Sequence, residues 1–165
     1  MTENSLALAP FFYNGWDVYQ RHLVKALAPL SRDQLDVHAT QALRSIGMIA
    51  THLVAVRARW LYYVLKEGDE QIMAIGKWDR SDQPARSASE LVNGLEITWN
   101  VIDGALHRWT VADLEETLRD IDDETGEEEI FTRQWVVWHL IEHDLHHGGE
   151  LSFLLGMHGM TAIDL

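Results

Sequence analysis

The sequence predicts an all-α fold, a four-helix bundle with long connections, forming a single domain over residues 1–165. Apolar residues recur every three to four positions along four stretches, which is the period of a helix that is buried on one side. Prolines number only three, and no stretch alternates apolar and polar residues as a half-buried strand does. Hydrophobic residues make up 47% of the chain and include seven tryptophans, which is enough apolar material for a packed core.

The first long helix is predicted within FFYNGWDVYQRHLVKALAPL, and it ends near Pro29 because proline cannot continue a helix. Its apolar stripe consists of Phe12, Trp16, Tyr19, Leu23 and Leu27. Ser31 is followed three residues later by Gln34, a spacing that resembles a capping box. A short helical turn is therefore expected over residues 32–36.

The second long helix is predicted from Gln41 to Glu67 and ends at Gly68. Its apolar stripe consists of Ile49, Leu53, Val56, Trp60 and Tyr63. His52 belongs to the same face, and a lone histidine on an apolar stripe is more often a hydrogen-bonded core residue than a metal ligand. Residues 68–86 then break the helical period with glycine and proline, and this connection is long enough to serve as a lid or an interface element.

The third long helix is predicted to begin near Ser87 or Ser89 and to run to Trp109. Its apolar stripe consists of Leu91, Leu95, Trp99, Ile102 and Leu106. Two glycines inside this stretch, Gly94 and Gly104, indicate either a weaker helix or a place where another element approaches closely.

The segment from Thr110 to Glu129 is strongly acidic, and a short helical turn is predicted around Leu114 to Leu118. Its carboxylates are interpreted as solvated surface charge rather than metal ligands, because runs of like charge are usually solvated. The fourth long helix is predicted from Phe131 to Leu155, with glycines following its end.

The charge balance and the composition restrict the possible partners. The formal net charge is −13 at pH 7, and protonating all nine histidines would add nine charges and still leave −4. Nucleic acids and anionic membranes are poor partners for such a surface. No cysteine is present, so the chain supplies no disulfide, thiolate ligand or thiol nucleophile. With no signal peptide and no run of about 18 apolar residues, a soluble cytoplasmic protein is expected.

The fourth predicted helix carries a cluster of histidines on one side, namely His139, His143, His146 and His147. At about 100° per residue these side chains fall within an arc of about 100°. His143 and His147 lie one turn apart, so both rings can reach a single metal ion beside the helix. The spacing alone leaves His139 and His143 open as an alternative pair.

Two known uses of such histidines fit poorly. A zinc protease of the gluzincin type needs a glutamate between the paired histidines, where this chain has Asp144, and no further histidine follows at the metzincin spacing. A di-iron carboxylate bundle needs Glu-x-x-His on two helices, and the chain contains no such sequence. What fits is a mononuclear site completed by a histidine from another helix. His52 is the natural third ligand, while His22 and His107 lie on less favourable faces.

These segments resemble the DinB/YfiT-like superfamily of four-helix-bundle metalloproteins, and the resemblance extends over nearly the whole chain. The family signature is one histidine midway along the second helix and a later segment of the form His-x-x-x-His-x-Gly-Gln-Leu. Here SIGMIATHLVAVRARWL places His52 at the first position, and HLIEHDLHHGGEL places His143 and His147 at the paired positions. The resemblance implies that these three residues bind one divalent transition metal. An all-imidazole trio suits Zn²⁺ or Ni²⁺, or else Fe²⁺ or Mn²⁺.

The chain departs from the family pattern next to the paired histidines. Glu150 stands where the family has glutamine, and Gly148 where it often has a basic residue. Glu150 is interpreted as an acceptor for the N–H of a ligand histidine, with a fourth ligand or a base as alternatives. Glu150 and Asp144 are the candidate catalytic residues, for orientation or proton transfer. His139 and His146 are interpreted as neighbouring or interface histidines rather than ligands.

Family members of known activity are thiol transferases that use low-molecular-weight thiols, or the related maleylpyruvate isomerases. The resemblance therefore implies a metal-dependent transferase that activates a small thiol for attack on an electrophile, in a protein that forms a homodimer through helix faces. A basic cleft would favour this activity, and the candidates for it are Arg57, Arg59, Arg108 and Arg133. The alternatives are a metal-dependent hydrolase that uses metal-bound water, and a non-catalytic protein for metal binding or assembly.

Overall fold

The computed structural model describes the backbone of residues 9–121 and 125–165, and their side chains from residue 15 onward. The elements in chain order are α1 Ala9–Leu27, α2 Arg32–Leu35, α3 Ile46–Arg59, a π-helical turn Trp60–Val64, α4 Glu70–Ile75, α5 Ala88–Arg108, a 3-10 turn Ala112–Glu115, β1 Thr117–Ile121, β2 Glu128–Thr132 and α6 Arg133–Met157. Residues 1–8, where the sequence predicts no signal peptide, lie outside the described residues. So do residues 122–124 of the acidic segment and the side chain of Phe12.

The four long helices form a bundle, as the sequence predicts. Helices α1 and α3 each pack against both α5 and α6, and apolar side chains from all four fill the space between them. Examples of these buried side chains are Leu23, Leu53, Leu95 and Leu140. Among the described residues, no helix combines the length and apolar character that crossing a bilayer requires.

Side-chain caps fix the starts of two helices where the sequence predicts them. The Ser31 hydroxyl accepts the Gln34 backbone N–H at 3.3 Å, and the Gln34 side chain accepts the Ser31 N–H at 2.8 Å. Helix α5 begins in the same way, with a capping box between Ser87 and Glu90. Both capping boxes satisfy backbone N–H groups that a helix start leaves without partners.

The predicted limits of the second long helix are wrong at both ends. Helix α3 begins at Ile46 rather than Gln41, because the Ser45 hydroxyl accepts the Met48 N–H and caps it there. At the other end the helix widens into the π-helical turn, which shifts the later side chains around the axis. Tyr63, predicted to be buried, is consequently 40% exposed.

The segment before α6 is a β-hairpin, which corrects the prediction of a structure without strands. Strands β1 and β2 pair antiparallel, with Thr117 opposite Thr132. In the two strands only Leu118 is buried, and Phe131 is half-buried. A ribbon with so little buried surface has no alternation of apolar and polar residues, and its sequence therefore gives no strand signal.

Two glycines mark close approaches inside the bundle. A Cβ atom on Gly94 would lie 2.7 Å from the Trp78 ring and 2.8 Å from Val54, which confirms that another element approaches α5 closely here. A Cβ on Gly148 would lie 2.1 Å from the Tyr19 hydroxyl oxygen. The Tyr19 ring can therefore lie against α6 in this position because residue 148 has no side chain.

A buried polar network connects all four long helices. Arg57 on α3 and Asp144 on α6 are both 0% exposed, and the guanidinium donates to both carboxylate oxygens at 2.8 and 2.6 Å. The Trp16 indole N–H of α1 donates to the same carboxylate at 2.6 Å. Gln20, also on α1, accepts from Arg57 at 2.7 Å and donates to the Leu95 carbonyl of α5 at 3.1 Å.

This network leads to a stability prediction. Asp144→Asn leaves the Arg57 charge buried without a carboxylate, and we expect it to lower the free energy of unfolding by about 3–5 kcal/mol. Urea unfolding of chelator-treated protein measures the change without a contribution from metal. The matched control is Glu128→Gln, which removes the acid of the exposed Arg119–Glu128 pair and should cost at most about 1 kcal/mol. Equal losses in the two variants would contradict the structural role of the buried pair.

Candidate metal centre

Three histidine rings from two helices converge in the bundle. His52 comes from α3, and His143 and His147 come from consecutive turns of α6. The ring centroids lie 5.2 Å apart for His52 and His143, 4.9 Å for His52 and His147, and 4.3 Å for His143 and His147. One nitrogen from each ring lies within 4.8 Å of the other two, so this group can hold a metal ion.

Asp79, a residue that the sequence analysis did not identify, contacts Nδ1, the outer nitrogen of the His52 ring. His52 Nδ1 lies 2.9 Å from an Asp79 carboxylate oxygen. Because an ionised carboxylate only accepts hydrogen bonds, Nδ1 carries the hydrogen, and in the neutral ring this leaves the lone pair on Nε2. Asp79 therefore fixes the tautomer that leaves Nε2 available as a metal ligand.

Asp79 is itself held in place by Arg59. The guanidinium donates to both Asp79 oxygens at 2.6 and 3.0 Å, and also to the Gly76 carbonyl at 2.8 Å. Burial alone would raise the pKa of Asp79, but the hydrogen bonds from His52 and Arg59 outweigh burial and hold this pKa well below its ordinary value. Asp79 is therefore ionised at neutral pH. Its carboxylate is held in place by two residues of α3, His52 and Arg59.

Glu150 contacts Nδ1, the outer nitrogen of the His147 ring, just as Asp79 contacts Nδ1 of His52. His147 Nδ1 lies 2.7 Å from a Glu150 oxygen, one turn away on α6. Burial lowers the pKa of His147, although the hydrogen bond to Glu150 acts in the opposite direction. This contact matches the acceptor role expected for Glu150. His146, His147 and Glu150 also form a second, more exposed group whose spacing could hold a metal.

His143 lies between the other two rings and is kept neutral by its surroundings. Burial lowers its pKa to about 3, with the neighbouring His147, His52 and His139 adding to the effect. Its Nδ1 atom is buried and has no hydrogen-bond partner among the described residues. A neutral imidazole is the form that binds metal, and an orphaned ring nitrogen is an atom that an ion can satisfy.

The other histidines lie outside the three-ring group. His139 stacks on Trp135 with ring centroids 5.0 Å apart and packs edge-on against Trp60. It is 6.1 Å from His143 between centroids, so it borders the group. His22 and His107, the weaker candidates for the third ligand, belong to none of the groups of potential metal ligands found among the described residues.

The arginines proposed for a basic cleft do not form one. Each of the four has a carboxylate partner in an ion pair, the pairs being Arg57–Asp144, Arg59–Asp79, Arg108–Glu67 and Arg133–Glu116. The carboxylate of Asp144, a candidate for orientation or proton transfer, is occupied by Arg57 and Trp16. Its contacts therefore support a structural role, that of positioning α6 against α3.

The donor set can hold a metal ion. Three neutral imidazoles are a known ligand set for Zn²⁺ and related ions, and two of the rings are held by carboxylates on their outer nitrogens. The site lies on the packed helices α3 and α6, and the loop residue Asp79 is anchored to α3. Three protein ligands also leave coordination positions for a water or substrate atom.

The fold and this site define a helix-bundle protein with a candidate three-histidine metal centre. The sequence profile of the DinB family matches residues 1–165, and the chain belongs to the DinB family. The crystal structure of a DinB-like protein from Bacillus cereus has a similar fold, with a TM-score of 0.71 at 21% sequence identity. The similarity covers 97% of this chain and 99% of the Bacillus cereus chain. No curated protein matches the sequence.

The contact between Asp79 and His52 generates a prediction on metal affinity. Asp79→Ala removes the acceptor that orients His52, and we expect metal affinity to fall by about 10–100-fold. Competition with a chromophoric chelator measures the dissociation constant. Asp82→Ala is the matched control, since Asp82 is an exposed residue of the same connection, and its affinity should equal that of the wild type. Unchanged affinity in Asp79→Ala would show that Asp79 does not orient the ligand.

Proposed function

We propose that His52, His143 and His147 bind one divalent transition metal, Zn²⁺ or Ni²⁺ rather than Fe²⁺ or Mn²⁺, and that the protein is a metal-dependent thiol S-transferase. The observation that carries the proposal is the convergence of three imidazole rings, two of them oriented by carboxylates. Glu150 and Asp79 then serve as positioning residues. Asp144 serves the fold rather than proton transfer.

The chemistry follows from the charge of the ligands. Neutral imidazoles leave the charge of a bound divalent ion uncompensated, so a metal held there would favour a thiolate over a thiol. This matters because the chain has no cysteine and supplies no thiol nucleophile of its own. The low-molecular-weight thiol would come from solution and release its S–H proton to water. Its sulfur would then form a bond to the electrophilic carbon, and the bond from that carbon to the leaving group would break.

An aromatic surface beside the centre supports binding of an apolar electrophile. Phe131 and Trp135 are stacked with centroids 4.6 Å apart, and the Trp135 ring stacks on His139. Trp60 packs against all three of these rings. Trp135 is 43% exposed, so a flat or apolar molecule can reach this surface close to His143.

Homodimer formation and a cytoplasmic location stay predictions. Helix α6 offers a surface suited to a second copy of the chain, because large apolar side chains lie exposed along it. These residues are Trp138, Leu145, Phe153 and Met157.

Elemental analysis of protein purified without an affinity tag tests the metal assignment. Wild-type protein should contain about one first-row metal ion per chain, because three imidazoles and one exogenous ligand complete a tetrahedral site. His52→Ala and His143→Ala should each lose most of it. His158→Ala changes an exposed histidine at the end of α6 and should retain the wild-type content. Full metal content in both ligand variants would refute the assignment.

A conjugation assay tests the reaction. Metal-loaded protein should accelerate the coupling of small cellular thiols to chlorodinitrobenzene, and His143→Ala or prior chelation should reduce the rate to the uncatalysed level, because no thiolate is then stabilised. A nitrophenyl ester assayed in parallel tests the hydrolase alternative. If metal-loaded protein is inactive with every common cellular thiol, the transferase assignment is wrong; ester hydrolysis under the same conditions would support the alternative.

A further inference from the structure

A second feature of the molecule, a cavity of about 540 Å³, lies next to His52. It is enclosed by the connection between α2 and α3, the first turns of α3, and the connection between α4 and α5. His52 and Asp79 form part of its wall, while His143 and His147 do not line it. Its volume falls in the range of pockets that bind small molecules.

The charges around this cavity differ from those on the rest of the chain. The chain has ten arginines, and eight of them have a carboxylate within 4 Å. Within residues 9–121 and 125–165, the two without such a partner are Arg44 and Arg80, and both line the cavity. Acidic residues outnumber Lys and Arg by 26 to 13, so two exposed arginines without a carboxylate partner give this place a local positive charge on an otherwise acidic chain.

A third cation on the wall is held in a fixed position. The Arg86 guanidinium lies over the Trp78 ring at 4.7 Å from its centroid, and it donates to the Gln83 side chain at 3.1 Å. Its carboxylate contact, to Glu90, is long at 3.5 Å. Its Nε atom is buried and has no partner among the described residues. Stacking and burial reduce the conformational freedom that Arg86 would lose on binding a ligand.

The two acidic residues of the cavity do not cancel this positive charge. Asp79 already pairs with Arg59 and His52. Asp36 pairs with Arg32, which does not line the cavity. The arginines without a carboxylate partner are therefore Arg44 and Arg80, and Arg86 adds a third cation whose one carboxylate contact is long. Leu35, Met48 and Trp78 add apolar surface to the same wall.

We propose that this cavity binds a small organic anion whose carboxylate or phosphate group is held by Arg44, Arg80 and Arg86, with its carbon skeleton against the apolar wall. The planar guanidinium fork matches both kinds of oxyanion. The inference goes beyond the proposed function, because the arginines can bind an anion whether or not a metal is present. If a metal is also bound, His52 and Asp79 lie between the metal site and the anion site and contact each other there.

Isothermal titration calorimetry on the full chain tests the proposal, with chelator-treated and metal-loaded protein measured separately. The probes are succinate, glycerol phosphate and the neutral analogue succinamide. At least one of the two anions should bind, and succinamide should not, since it has the shape of succinate but no charge. Comparison of the two anions distinguishes a carboxylate from a phosphate ligand.

Two double variants that lower the net charge equally distinguish binding by the cavity arginines from a general effect of charge on anion affinity. Arg44→Gln with Arg80→Gln should weaken anion binding by about tenfold or more, because each removes a charged hydrogen-bond donor. Arg108→Gln with Arg119→Gln, two exposed arginines outside the cavity, should leave it unchanged. The proposal is overturned if neither anion binds, if succinamide binds as well, or if the two double variants lose binding equally. Absence of metal from the purified protein would count against the proposed function and not against this site.

Discussion

The buried ion pair between Arg57 and Asp144 sets the geometry on which the candidate centre depends. Asp144 directly follows His143 on α6, and Arg57 lies on α3 between one and two turns beyond His52. Joining the two charges through the Nε–H and an Nη2–H of the guanidinium fixes the rotation and the axial position of α3 against α6. His52 then faces His143 and His147 because of an interaction in which none of the three histidines takes part. Trp16 and Gln20 extend the constraint to α1.

Such a pair is a poor source of stability, since removing two charges from water costs about as much as their attraction returns. Its value lies in specificity. An apolar contact between α3 and α6 would tolerate a sliding or rotated helix, whereas a displaced helix here would leave a charge buried without its partner. The hydrogen bond that Trp16 donates to Asp144 and the one that Gln20 accepts from Arg57 occupy positions around the pair that water would otherwise have to fill. The bundle therefore combines an apolar core, which provides most of the stability, with one polar network that selects a single packing arrangement.

The sequence predicts what depends on local spacing and little of what depends on distant contacts. The helical period places His143 and His147 one turn apart, and the Ser31 and Ser87 caps are visible as short motifs. His52 is different, since its pattern made it the natural third ligand, but only the family resemblance favoured a ligand over a core histidine at this position. Asp79 lies 27 residues from its partner His52 in a connection without regular structure, so no spacing rule indicates it. The burial of Arg57 is equally non-local, because only its contact with Asp144 allows an arginine to occupy a core position. The hairpin was not predicted because its strands bury too little surface to produce an alternation of apolar and polar residues.

Three carboxylates lie next to the candidate centre in sequence or in space, and their partners give them different roles. Asp144 neutralises an arginine in the core, whereas Asp79 and Glu150 accept from the outer nitrogens of His52 and His147. In the neutral form these two histidines consequently carry the hydrogen on Nδ1, which leaves Nε2 as the nitrogen available to a metal. His143 has no such partner among the described residues, and it is kept neutral by burial and by its neighbouring rings. The proposed ligands thus divide into two that are oriented before any metal binds and one whose orientation depends on packing. Because burial around His143 keeps its lone pair available at neutral pH, the centre needs no proton release from this ring when a metal enters.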